Sequence, residues 1–233
     1  SSLQNYLQWT ESSNMPAVID ELLDGAHLLW IGLKRWDQVI LYCHGGAYMM
    51  SCSENIMTFC QYLQVELEQR NIHVGIAILA YKLLPDNPFP TQLCKDKATF
   101  DTLFKAGAKP KNITLTGASA GGNLVLQMLA HILHHHASIE PIPEMRFCGI
   151  FLMSPWVSMK EDRELPQHLL EAKHKYDSLS SFYGRHACQV LLKDIPDADI
   201  QLIDPLEAPE DWFKGIERLT DSIFVMWGEV ECL

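Results

Sequence analysis

Basic residues and long apolar runs are both scarce in this sequence of 233 residues. Its 18 lysines and arginines are outnumbered by 29 aspartates and glutamates, which gives a formal net charge of −11 at pH 7. Nucleic-acid binding rewards clustered Lys and Arg, so we expect no nucleic-acid partner. No apolar stretch approaches the roughly 18 residues that a spanning helix needs, so we expect no transmembrane segment in this chain.

Cysteine pairs and metal-ligand patterns are lacking as well. Seven cysteines occur, and no two have the Cys-x-x-Cys spacing of zinc or redox sites. Four histidines cluster at positions 131, 134, 135 and 136, but no Glu completes a His-Glu-x-x-His pattern. An odd number of scattered cysteines is typical of reduced thiols in the cytosol. We therefore predict a cytoplasmic location without metal or cofactor, and leave open the membrane association of a longer form.

Phosphate-binding loops are also absent. Residues 117–124 fail the Walker pattern because Asn123 stands where the lysine belongs. They fail Gly-x-Gly-x-x-Gly because Ser119 takes the place of the second glycine. Both nucleotide-binding motifs are therefore excluded.

Short apolar runs that alternate with helix-length windows are the main pattern that the chain does have. The runs cover residues 39–43, 74–79, 113–116, 147–153 and 223–227. This alternation predicts an α/β fold with a mostly parallel sheet covered by helices on both faces. An earlier run at residues 27–33 is predicted as an edge strand.

The length and composition favour a single domain over residues 1–233. A chain of 233 residues that is 48% hydrophobic can bury one large core. We assign residues 26–156 to the sheet core, 157–215 to cap-like helices and loops, and 216–233 to an acid-bearing strand and loop.

The pentapeptide Gly117-Ala118-Ser119-Ala120-Gly121 predicts a serine nucleophile. An apolar run precedes it and a long apolar window follows, which is the strand–turn–helix context of a nucleophile elbow. Side chains at the two glycines are expected to collide with the neighbouring strand and helix. A glycine-rich turn with a capping serine is the alternative, since short motifs occur by chance.

Residues 44–48, with the sequence His-Gly-Gly-Ala-Tyr, predict an oxyanion loop. Adjacent glycines let the backbone turn several N–H groups toward one point, which forms an anion-binding concavity. The candidate donors are the N–H groups of Gly45, Gly46 and Ala120, the residue after the nucleophile. His44 is expected to brace the loop, and a plain Gly-Gly turn is the alternative.

Three segments in the right order resemble the hormone-sensitive-lipase-like branch of the α/β-hydrolases. They are residues 44–48, residues 81–90 (Tyr-Lys-Leu-Leu-Pro-Asp-Asn-Pro-Phe-Pro) and residues 117–124. Within the branch, residues 205–209 with Trp212 are similar to fungal steryl acetyl hydrolases. The resemblance covers residues 27–233 and implies an α/β-hydrolase fold whose last strand and helix lie outside this sequence. One departure is Ala118, which stands where the family usually has an aspartate.

The catalytic acid and base are less well defined. In this fold the triad follows the order Ser, Asp or Glu, then His. Glu231 follows the strand at 223–227 and is the favoured acid, with Asp204 as the alternative. No histidine follows Glu231, so the resemblance implies a base in a further segment of about 30 residues or more.

The sequence thus favours a serine carboxylic-ester hydrolase that forms an acyl-enzyme on an apolar small-molecule or lipid ester. Without its base, this chain alone is expected to be nearly inactive, because loss of a triad member leaves only about 10³–10⁴ over the uncatalysed rate. The alternative is a non-catalytic, ligand-binding pseudoenzyme on the same fold. The oligomeric state stays open.

Overall fold

The computed structural model describes residues 1–22, 25–159, 181–193 and 195–228. Within these residues seven strands form one sheet, in the order β1-β2-β4-β3-β5-β6-β7. The strands are β1 Val18–Glu21, β2 His27–Ile31, β3 Val39–Cys43, β4 Gly75–Ala80, β5 Ile113–Ala118, β6 Gly149–Met153 and β7 Ile223–Met226.

The sheet is mostly parallel, as the alternating pattern predicts. Strands β3 to β7 pair in parallel, whereas β1 pairs antiparallel with β2 and β2 pairs antiparallel with β4. The prediction of an edge strand at residues 27–33 is wrong, because β2 lies between β1 and β4. The edge is Val18–Glu21, whose four residues are too short and too polar to stand out as an apolar run.

Helices cover both faces of the sheet. They are α1 Ser2–Ser12, α2 Glu54–Gln69, α3 Lys95–Lys105, α4 Ala120–His134, α5 Ser181–Leu191 and α6 Ile200–Ile203. Short 3-10 turns lie at Pro110–Asn112, Asp197–Asp199 and Ile216–Arg218. None of the described helices is both long and apolar enough to cross a membrane.

The alternating side chains of the strands build two cores. On one face, residues of α1 and α2 such as Tyr6 and Met57 pack against Ile76 and Ile78 of β4. On the other face, Phe100 of α3 and the apolar side chains of α4 pack against residues of β3 and β5. Because successive strand residues point to opposite faces, buried parallel strands are apolar throughout.

Helix α4 lies deep in the molecule, as its apolar window predicts. Twelve of its 15 residues are buried. Its first residue follows directly on Ser119, so the burial of α4 fixes the position of that serine. The pairing of β3 with β5 places Cys43 opposite Gly117, so the chain leaves both strands at the same level of the sheet.

Candidate active site

The turn between β5 and α4 holds Ser119 in a left-handed backbone conformation, with φ 51° and ψ −120°. This region is sparsely populated for any residue except glycine and stores strain. Both backbone polar groups of the serine are anchored. Its N–H donates to the carbonyl of Met153 at 3.0 Å, and its carbonyl accepts from the N–H groups of Asn123 and Trp156, each at 3.0 Å.

The two outer glycines of the pentapeptide are required by sterics, as predicted. A Cβ added at Gly117 overlaps the backbone of Gly121 in the first turn of α4. A Cβ added at Gly121 overlaps the carbonyl of Cys43 at the end of β3. The first turn of α4 therefore lies in direct contact with the ends of both β5 and β3, and a side chain at either glycine would push α4 off the sheet.

The loop after β3 lies against the serine. A Cβ added at Gly45 would be 2.9 Å from the carbonyl oxygen of Ala118 and 3.4 Å from the Cβ of Ser119. Ser119 is half-buried, and so are Gly45 and Gly46 beside it. The two segments that the sequence predicts as nucleophile and oxyanion loop thus meet at one edge of the sheet.

Three consecutive residues of this loop have positive φ: Gly46 at 112°, Ala47 at 51° and Tyr48 at 59°. The Gly46 carbonyl accepts from the N–H groups of Met49 and Met50, each at 2.9 Å. Among the described hydrogen bonds, none is donated by the backbone N–H of Gly45, Gly46 or Ala120. These three groups, expected from the sequence to be oxyanion donors, thus have no acceptor among the described residues.

His44 braces the loop with both ring nitrogens. Its Nδ1 lies 2.7 Å from the carbonyl oxygen of Gly45, so this nitrogen carries the proton and donates it. Its Nε2 lies 3.5 Å from the Oγ of Ser2, which itself accepts from the N–H of Cys52 at 2.9 Å. The C=O of Gly45 and the N–H of Gly46 belong to one trans peptide and point in opposite directions. The hydrogen bond from Nδ1 to the Gly45 carbonyl therefore turns the N–H of Gly46 away from the ring.

His44 is neutral near pH 7. Its side chain is fully buried, and desolvation lowers its pKa to about 4, although the hydrogen bond to Gly45 acts in the opposite direction. The ring also stacks on Tyr81, with centroids 4.3 Å apart. A ring that is stacked and hydrogen-bonded at both nitrogens is unsuited to act as the base for Ser119.

Residues 81–90 are hydrogen-bonded to the backbone of the loop after β3. The Tyr81 hydroxyl donates to the carbonyl of His44 at 2.7 Å. The N–H of Leu84 donates to the carbonyl of Tyr48 at 2.8 Å. These two bonds give the motif a physical role, since both end on the backbone of the oxyanion loop.

Among the described residues, no candidate acid is hydrogen-bonded to Ser119. Glu231 lies outside these residues. Asp204 is buried, and its Oδ2 accepts from the N–H of Met159 at 2.8 Å. That bond joins the two flanks of the excursion between β6 and β7, so Asp204 has a structural contact of its own.

The histidines at the end of α4 contact both one another and neighbouring residues. The Nδ1 of His131 accepts from the N–H of His136 at 2.9 Å, and the rings of His131 and His135 form a T-shaped pair with centroids 6.0 Å apart. His134 stacks on Trp212 with centroids 4.0 Å apart, and the Nε2 of His136 lies 2.8 Å from Asp199. Across the described residues, no group of three or more His, Cys, Asp or Glu side chains is arranged to hold a metal ion.

Sequence reasoning missed the polar contacts that join the loop to α4. Tyr48, Asn123 and Gln127 are buried and hydrogen-bonded to one another. A possible signal was their occurrence inside otherwise apolar segments, since buried polar side chains are almost always hydrogen-bonded. Helix α1, which supplies Ser2, was missed as well, although Tyr6 and Trp9 have helical spacing.

Comparison with known proteins gives relatives that are named as esterases or acetyl hydrolases. The chain is 29% identical over 196 residues to an esterase of Acinetobacter venetianus, a match that covers 84% of this chain and 57% of that protein. It is 24% identical over 153 residues to steryl acetyl hydrolase 1 of Saccharomyces cerevisiae, covering 64% of this chain and 34% of that protein. The chain thus matches about half the length of the one and a third of the other.

Solved structures share the fold. The crystal structure of a mutant esterase has a TM-score of 0.68 and 26% identity, and the match covers 99% of this chain and 73% of that one. An esterase of the bacterial hormone-sensitive lipase family has a TM-score of 0.63 and 23% identity, with 97% and 82% covered. The predicted resemblance to hormone-sensitive-lipase-like proteins is confirmed. Since the profile of the alpha/beta hydrolase fold family also matches residues 40–233, the chain belongs to that family.

Proposed function

We propose that the protein is a serine carboxylic-ester hydrolase in which Ser119 forms an acyl-enzyme. Its Oγ adds to the acyl carbonyl carbon, and the carbonyl electron pair moves onto oxygen. The resulting oxyanion accepts hydrogen bonds from the N–H groups of Gly45, Gly46 and Ala120. Collapse breaks the bond to the alcohol, which leaves with the serine proton, and water then releases the acid and restores the hydroxyl.

The observation that carries this proposal is the strained backbone of Ser119 beside the Gly45 backbone. A non-glycine residue at φ 51° and ψ −120° is strained, and such strain is concentrated at functional sites. A simple structural turn has no need for this conformation. Nor does it explain a neighbouring loop with three positive φ values and backbone N–H groups left without protein acceptors in the described structure.

The proposed reaction needs a base that the described histidines do not supply. His44 is held in its own contacts, and His186 is exposed on α5. We infer that the base is a histidine outside the described residues, oriented by Glu231 or, as the alternative, by Asp204. Without that base, the oxyanion donors and substrate binding alone would give only about 10³–10⁴ over the uncatalysed rate.

The proposed substrate is an apolar small-molecule or lipid ester. Exposed Met50 and half-buried Met49 follow the oxyanion loop and offer apolar surface beside it. Tyr48 and Trp156 are buried and belong to the hydrophobic core. The names of two relatives, steryl acetyl hydrolase 1 and an acetyl-hydrolase of Streptomyces hygroscopicus, support a short acyl group.

A second candidate function is ligand binding without turnover. It is favoured by one observation, which is that no described histidine contacts Ser119. Stabilisation by an ester that is never cleaved would select this alternative.

Labelling with a fluorophosphonate probe tests the proposed function. The protein expressed from its complete coding sequence should react at Ser119, and Ser119→Ala should lose both the label and ester turnover by about 10⁴-fold or more. Ser53→Ala is the matched control, because Ser53 is exposed and makes no capping bond to α2. Absence of labelling with Ser119 intact would contradict the proposal.

A further inference from the structure

The proposed oxyanion cradle is assembled from two separate elements. Gly45 and Gly46 lie on the loop after β3, whereas Ala120 begins α4. Donors in such a cradle must lie about 2.7–3.1 Å from the developing oxyanion, so their relative position matters to within a few tenths of an ångström. A loop with three positive φ values does not hold that position by its own backbone preferences.

Two buried hydrogen bonds join the two elements through side chains. The Tyr48 hydroxyl donates to the Oδ1 of Asn123 at 2.7 Å and accepts from the Nε2 of Gln127 at 3.0 Å. Tyr48 is 1% exposed and Asn123 is fully buried. Asn123 lies three residues after Ala120 on α4, so the bond connects the loop to the first turn of the helix that carries the third donor.

Asn123 is itself held on every side. Its Nδ2 donates to the carbonyls of Trp156 and Ile203, each at 2.7 Å, and its Oδ1 also accepts from Gln127 at 2.6 Å. The two carbonyls fix which way the amide faces, because both require a donor. The side chain therefore acts as a rigid acceptor for Tyr48 rather than as an adaptable one.

We propose that Tyr48 is a positioning residue whose hydroxyl, bound to Asn123, sets the distance between the Gly45–Gly46 donors and the Ala120 donor. This inference rests on the proposed function and extends it to a residue that touches no substrate. The ring of Tyr48 packs near Tyr81 and Trp156, with centroids 5.8 Å and 6.5 Å away, so removal of the hydroxyl alone leaves the packing in place.

The test is Tyr48→Phe in the full protein, with Tyr62→Phe as the control. Tyr62 is 62% exposed on α2, which packs on the face of the sheet opposite α4. With p-nitrophenyl acetate, Tyr48→Phe should lower kcat about 10- to 100-fold and leave KM within about twofold. The loss of kcat is smaller than the roughly 10²–10³-fold loss that removal of a whole oxyanion donor causes. Amide hydrogen exchange of residues 44–50 should become at least about tenfold faster, with other segments unchanged.

The exchange measurement separates this inference from the proposed function. If the unmodified protein cleaves no ester, the proposed function fails, yet faster exchange in Tyr48→Phe still supports the link between loop and helix. Unchanged exchange overturns the inference. So does an unchanged kcat in an active protein, or a KM rise that accounts for the whole loss of activity.

Discussion

At the scale of single residues, Asp96 stands out as a buried carboxyl group without a partner. It lies in the first turn of α3, fully buried, and neither side-chain oxygen has a hydrogen-bond partner among the described residues. Desolvation raises its pKa well above the usual range. Its charge, if present, would also raise the pKa of Cys43 at the end of β3 and of Tyr48 in the following loop.

This carboxyl group makes stability depend on pH. A raised pKa means that the folded state holds a proton that the unfolded state has lost, so stability falls as pH rises above the unfolded value of 3.8. Asp96→Asn should therefore gain stability over the unmodified protein by up to about 1.4 kcal/mol for each pH unit, until the pH reaches the folded pKa. Urea unfolding at pH 5 and pH 7 measures the difference.

The control for this prediction is Asp101→Asn on the same helix. Asp101 is only half-buried and pairs with Lys97 at 2.8 Å. Its replacement should therefore change the free energy of unfolding only slightly, and by a similar amount at pH 5 and at pH 7. If Asp96→Asn behaved in that way too, the carboxyl group would have to be ionised in the folded protein.

At the scale of elements, β7 is the strand with the least cover. Its residues Ile223, Phe224, Val225 and Met226 are 42%, 63%, 39% and 48% exposed. In the described structure it pairs with β6 alone. An exposed apolar strand with an open edge is a template for pairing with other chains.

We predict that Phe224→Lys lowers the concentration-dependent association of this chain, because a lysine on an edge strand opposes strand pairing. Leu33→Lys is the control, since Leu33 is 70% exposed but lies in a loop between β2 and β3. Light scattering over a dilution series measures both. Equal behaviour of the two variants would show that β7 is not the associating surface.

At the scale of the whole molecule, the proposed oxyanion loop is held from both faces of the sheet. Helix α1 reaches His44 through Ser2 on one face, and α4 reaches Tyr48 through Asn123 on the other. Helix α1 is in turn fixed by Tyr6, whose hydroxyl donates to the carbonyl of Trp30 at 2.6 Å, and by buried Trp9. The geometry of the candidate site thus depends on an element far from it in sequence.

Trp9→Ala should destabilise the fold by about 3–5 kcal/mol, the usual cost of removing a buried aromatic side chain. Trp9 is 2% exposed, and its Nε1 donates to Thr58 on α2 at 3.1 Å. Leu7→Ala on the same helix is the control, since Leu7 is 44% exposed and should cost little. Denaturant unfolding measures the free energy of unfolding of both variants. If Trp9→Ala lost as little stability as Leu7→Ala, α1 would lie outside the cooperative unit.

Much of the sheet was predictable from local pattern. The apolar runs located β3 to its exact bounds and the other parallel strands to within about two residues, which is the usual accuracy for element ends. They did so because strands buried on both faces must be apolar at every position. The sequence pattern did not predict strand β1 and helix α1, because each is largely polar and gains its stability from partners elsewhere in the chain.

The sequence by itself determined the pentapeptide around Ser119, the glycine loop and the order of the strands along the chain, because these depend on residues that are neighbours in sequence. Only the tertiary structure decided that Cys43 lies opposite Gly117, which brings the loop to the serine. It also decided that His44 serves as a brace and that Tyr48 reaches Asn123, 75 residues away. Such contacts follow from how helices pack on a sheet, and no local pattern of residues encodes that packing.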